Sequence, residues 1–102
     1  MMKKDVYFRM VGMCFIETDV ELFVGDTVEL KHEPKNAYDS EAIKVIKEGE
    51  KIGYVANSVK TNPAGCYSAG RLLEVIKDDY IARAEVVVMD ENFIICKYEK
   101  RD

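Results

Sequence analysis

The chain has 102 residues, 48% of them apolar, which suffices for one hydrophobic core and leaves no room for a helicase or nuclease domain beside it. Its formal net charge of −4 and isoelectric point near 5.1 argue against a long basic groove for nucleic acid, although a few local cations can act within an acidic protein. No apolar run approaches the roughly 18 residues that span a bilayer. Cys14, Cys66 and Cys96 lie far apart with His32 as the single histidine, so neither a disulfide framework nor a zinc site is expected.

Charges at Lys3, Lys4, Asp5 and Arg9 interrupt any apolar segment of signal-peptide length, and free thiols suit a reducing compartment, so the expected location is cytoplasmic. Val6 to Phe15, rich in β-branched and aromatic residues, reads as a first strand with Gly12 in its middle marking a bulge or a sharp bend. Glu17-Thr18-Asp19 is a polar connection, and Val20 to Val24 an apolar segment that stops at the turn pair Gly25-Asp26. Thr27 to His32 alternates strictly, with Val28, Leu30 and His32 on an inward face and Thr27, Glu29 and Lys31 on an outward one. That pattern predicts a partly buried, hydrogen-bonded His32, with no nucleophile or acid spaced to make it catalytic.

Pro34, Asn36, Tyr38, Asp39 and Ser40 crowd the next segment, a composition that bends backbone and sets polar groups on a surface loop. A β-hairpin follows, Ala42 to Ile46 and Lys51 to Val55 across Glu48-Gly49-Glu50. Period-two alternation sends Lys44 and Ile46 to one side and Ile43 and Val45 to the other, so Lys44 faces solvent beside the loop, as an ordinary surface lysine or as a phosphate contact.

Ala56 to Tyr67 lacks periodicity and reads as a long loop. Ser68 caps a helix from Ala69 to Ile76, with Ala69, Leu72, Leu73 and Ile76 facing the core. Arg71 falls in its first turn, where the helix dipole does not favour a cation, so it is either a solvated arginine or a functional one. Tyr80 to Met89 and Asn92 to Glu99 form a closing hairpin across Asp90-Glu91. The chain as a whole is expected to be one domain, residues 1–102, mainly β, a small barrel of about six strands with one helix.

Glu33-Pro34, Asn36, Tyr38-Asp39, Ala42-Ile43, Val45 and Gly53-Tyr54-Val55 together resemble the core signature of HIRAN domains. The resemblance extends upstream to Val11-Gly12, Phe15 and Leu22 to Leu30, and downstream to about Leu73, roughly two thirds of the chain. It implies an OB-like β-barrel that captures the 3′-hydroxyl end of single-stranded DNA. It also places Phe15 near the aromatic position used against a base, and Cys14 where some members carry arginine. Ala37 stands where the family usually has proline.

The residues agree with that implication on physical grounds. Tyr38 and Phe15 offer faces on which any base can stack, although a buried core position is the commoner fate of a phenylalanine. Asn36 can donate and accept. An Asp39 carboxylate accepts from a terminal hydroxyl and repels a phosphate, so it would select an end over a continuing strand; by composition alone it is a turn residue. Tyr54, Lys44 and Arg71 complete the candidate nucleic-acid-binding set. No phosphate loop, metal cluster or activated nucleophile is present, so neither catalysis nor a cofactor is expected. An RNA end would be chemically similar to a DNA end. The rival reading is a protein-interaction or regulatory barrel that has lost DNA binding, its partner a protein such as a DNA repair or remodelling enzyme; no membrane role is expected.

Overall fold

The computed structural model describes residues 5–13, 16–58, 60–77 and 81–99. Its strands are β1 (Tyr7–Val11), β2 (Thr27–His32), β3 (Ile43–Lys47), β4 (Glu50–Val55), β5 (Ala82–Met89) and β6 (Ile94–Glu99), with one helix, α1 (Ala69–Ile76). They close into a barrel in the order β1-β4-β3-β2-β5-β6, and β6 returns to pair antiparallel with β1. Closure thereby gives every named strand a paired neighbour on each side.

Alternation sets the inside of the barrel. Phe8 and Met10 of β1, Val28 and Leu30 of β2, and Ile43 and Val45 of β3 are all buried, each separated from the next by an outward residue. Ser68 caps α1, its side chain accepting the Arg71 N–H, and Ala69, Leu72 and Ile76 are buried beneath the helix. The Ala69 N–H donates to the Ala56 carbonyl just past β4, so α1 stoppers the barrel at the end where β4 finishes.

The first strand is shorter than expected. It stops at Val11, where Gly12 bends the chain with a left-handed backbone, φ +82°, that glycine adopts without steric cost; Cys14 and Phe15 lie outside the described residues. His32 is exposed rather than partly buried. As the last residue of β2 it has passed the barrel rim, and its ring Nε2 bonds the Ser40 carbonyl at 2.8 Å. The β3–β4 turn is tighter than a three-residue link: Glu48 and Gly49 both adopt positive φ, 54° and 79°, the twist that suits a two-residue hairpin. At the last hairpin β6 begins only at Ile94, because the Asp90 carboxylate accepts the N–H groups of Asn92 and Phe93, both at 2.7 Å. Val20 to Val24 forms no strand; Lys47 holds this segment through the Glu21 carbonyl and the Asp26 carboxylate.

Candidate functional site

The site begins with a slip of register. Lys44 lies across from Tyr54 and Val45 from Gly53, yet Ile46 lies across from Lys51. Ile52 is therefore an extra residue, buried together with Gly53. A bulge re-aims the side chains around it, and here it brings Lys51 and Tyr54, which strict alternation would separate, to the same outer face. Lys51 Nζ donates to the Tyr54 hydroxyl at 2.8 Å.

A relay runs on from there. The Tyr54 hydroxyl donates to Glu33 Oε1 at 3.0 Å, and the same oxygen accepts from Asn36 Nδ2 at 2.8 Å. Asn36 Oδ1 accepts in turn the N–H groups of Tyr38 and Asp39, at 2.9 and 3.1 Å. Both ends of the Asn36 amide are used to shape the β2–β3 loop. The Asn36 hydrogen bond above all, then the one from Tyr54 and the charges of Lys51 and Lys44, hold the Glu33 carboxyl below its ordinary range despite partial burial. The bond to Tyr54, with the Glu33 charge behind it, raises Lys51, so its ammonium is kept protonated.

Asp39 ends the loop and is itself tied down. Its Oδ1 accepts the Glu41 N–H at 2.9 Å, and its Oδ2 accepts from Asn57 Nδ2, also at 2.9 Å. Asn57 Nδ2 further donates to Glu41 Oε1 at 3.1 Å, while Asn57 Oδ1 accepts the Gly70 N–H at 3.0 Å. Asn57 thus joins the loop to the first turn of α1. A Cβ at Gly70 would stand 2.7 Å from Glu41 Oε2, so glycine there lets the carboxylate approach the helix N-terminus, where the dipole favours it.

Between these elements lies a cleft of about 630 Å³. Val11, Ala42 and Val55 give it an apolar floor; Asn36, Asp39, Lys51, Tyr54, Asn57, Ser58 and Thr61 supply polar groups. Tyr38 stands at its rim with 98% of its surface exposed. The structure thereby gathers Asn36, Tyr38, Asp39 and Tyr54 in one place. Lys44 adjoins Tyr54 in the ladder but does not line the cleft. Arg71 is exposed on α1, its guanidinium 4.1 Å from the Tyr67 ring centroid, and does not line it either. Phe15 lies outside the described residues. Lys51, Asn57, Ser58 and Thr61 line the cleft without having been named as site residues from the sequence; Asn57 and Ser58 carried a signal, as the end of the Gly53-to-Ser58 run that resembles stand-alone HIRAN proteins.

Burial pushes the Cys96 thiol up to about 12 and raises Cys66 as well, against a smaller opposing effect of Arg9, so neither thiol has thiolate character near neutrality. Among the described residues no three of His, Cys, Asp and Glu come together as metal ligands. No described helix is long and apolar enough to cross a membrane.

A family model described as the HIRAN domain matches residues 3–92. The crystal structure of the HIRAN domain of human HLTF superimposes with a TM-score of 0.61 at 22% identity, covering 92% of this chain and 74% of that one. A Lactobacillus plantarum protein solved as a structural-genomics target gives the same score and identity over 95% of this chain and 98% of that one. At that identity the likeness speaks for the fold. No curated protein matches the chain.

Proposed function

The chain belongs to the HIRAN domain family, known as a family of DNA-binding domains, and from that premise we propose that it is a single non-catalytic module that captures single-stranded DNA at 3′-hydroxyl ends. The observation that carries the reading is Tyr38, an aromatic ring 98% exposed at the mouth of a cleft that also holds Asp39 and Asn57. A fully solvated tyrosine contributes nothing to the core, whereas a base stacked on it gains roughly 1 to 3 kcal/mol without regard to sequence. The neighbouring carboxylate accepts from a terminal hydroxyl and repels a terminal phosphate. An apolar floor under a ring of donors and acceptors is the environment a sugar and base require.

A second reading, an interaction barrel for another protein, draws on apolar side chains outside the cleft lining: Phe23 and Val24 are 58% and 59% exposed. Immobilised oligonucleotides of one sequence with free or blocked 3′ ends separate the two. Retention on the free end and release from the blocked one is the expected result. No retention on either, with the protein folded, would favour the interaction barrel.

A further inference from the structure

We propose that Lys51 is the phosphate-binding cation of the cleft and fixes the polarity of the bound strand, taking the phosphate on the 5′ side of the nucleotide whose 3′-hydroxyl meets Asp39. The proposal rests on the end-capture reading and adds a residue and a direction to it. Three observations carry it. First, Lys51 is the lysine in the cleft lining, and it faces the cleft only because the register slip beside Ile46 brings it to the same side as Tyr54. Second, its ammonium is held but not used up. One hydrogen bond goes to the Tyr54 hydroxyl at 2.8 Å, the Tyr54 ring centroid lies 5.0 Å away and the Glu33 charge acts from beyond the hydroxyl, but among the described residues the group has no other hydrogen-bond acceptor and no direct ion pair. An ammonium carries three donors, so the remaining ones are available to an anion.

Third, Lys51 and Asp39 stand at opposite ends of one hydrogen-bonded run. Lys51 donates to Tyr54, Tyr54 and Asn36 donate to Glu33, and Asn36 accepts the Asp39 N–H. The relay therefore fixes the Lys51 ammonium relative to the Asp39 backbone, and the Glu41 N–H and Asn57 fix the Asp39 carboxylate on that backbone, so a cation and a carboxylate are both held in one cleft. A nucleotide is polar in the same sense, with an anionic phosphate on one side of its sugar and, at a 3′ terminus, a neutral hydroxyl on the other. In the matching orientation the phosphate meets the ammonium and the hydroxyl meets the carboxylate; in the reverse one the phosphate faces Asp39. Lys44, by contrast, lies outside the lining and serves as the internal control.

The test is a cycle between protein and ligand. Wild-type protein, Lys51→Met, Lys51→Arg and Lys44→Met are titrated with a 3′-hydroxyl oligonucleotide and with the same oligonucleotide carrying a neutral methylphosphonate at its last linkage. A charge-assisted contact predicts a loss of about tenfold or more when either the lysine or the phosphate charge is removed. Removing both should cost little more than removing one. Lys51→Arg should recover most of the affinity, and Lys44→Met should remain fully sensitive to the methylphosphonate. Losses that multiply in Lys51→Met would overturn the assignment while leaving end capture intact. No loss on removing the phosphate charge from the wild-type complex would overturn it too, and absence of binding by folded wild-type protein would remove both readings together. Melting temperatures of the variants separate loss of the contact from loss of the fold.

Discussion

Asp39 is a turn former to which the end-capture proposal gives a second role. Its carboxylate already accepts the Glu41 N–H and an Asn57 hydrogen, so the turn role that composition suggests is present. The proposed hydroxyl contact would use a further lone pair. Loss of a hydrogen bond to a charged group costs about 1.5 to 3 kcal/mol, so Asp39→Ala should weaken binding of a 3′-hydroxyl oligonucleotide roughly 10- to 150-fold. Binding of a 3′-phosphate oligonucleotide should stay the same or improve. Asp39→Asn can still accept from Glu41, but its amide would face the Asn57 amide donor to donor, and Asn57 cannot flip while its oxygen serves Gly70. That variant should therefore keep part of the hydroxyl binding at some cost in melting temperature. Equal weakening toward both ligands in titrations of either variant would mean that Asp39 only holds the loop.

At the scale of elements, the Glu33 relay pins the β2–β3 loop to β4, and its contribution depends on charge. The Glu33 carboxyl is held below the ordinary glutamate value of 4.5, so the unfolded chain takes up the proton first on acidification. The stability it contributes is thus fully present above 4.5 and is lost as pH falls through the lower folded value. Urea unfolding of wild type and Glu33→Gln should show the wild type more stable near neutrality, with the gap closing well below 4.5. A gap independent of pH would mean the relay does not depend on the charge.

Elements were legible where a local pattern suffices. Thr27–His32 alternates, Gly25-Asp26 and Glu48-Gly49 mark turns, and Ser68 announces α1, whose limits match the expectation. The outward turn of Lys51 was not legible, because a bulge is decided by the partner strand and not by the bulged sequence. Asn57 escaped for a related reason: its importance lies in joining Asp39, Glu41 and Gly70, which are distant in sequence and meet only in the closed barrel. Tyr38 and Asp39 stood out through the resemblance to HIRAN domains; composition alone marks only a polar surface loop there, with Asp39 as a turn residue.

At the scale of the whole molecule, a net charge of −4 is poor for holding a long polyanion and acceptable for holding one end. On the end-capture proposal, affinity would come from a stacked base, a hydroxyl and few phosphates, met by the cleft that the β2–β3 loop, β4 and the segment after it build on one side of the barrel. Such a molecule should be indifferent to strand length and should need a terminus. The direct measurement compares a linear single-stranded oligonucleotide with its own circularised form, same sequence and same number of phosphates, in solution titrations against the wild-type protein. Capture of a 3′ end predicts binding of the linear strand and little or none of the circle; equal affinity for the two would contradict it.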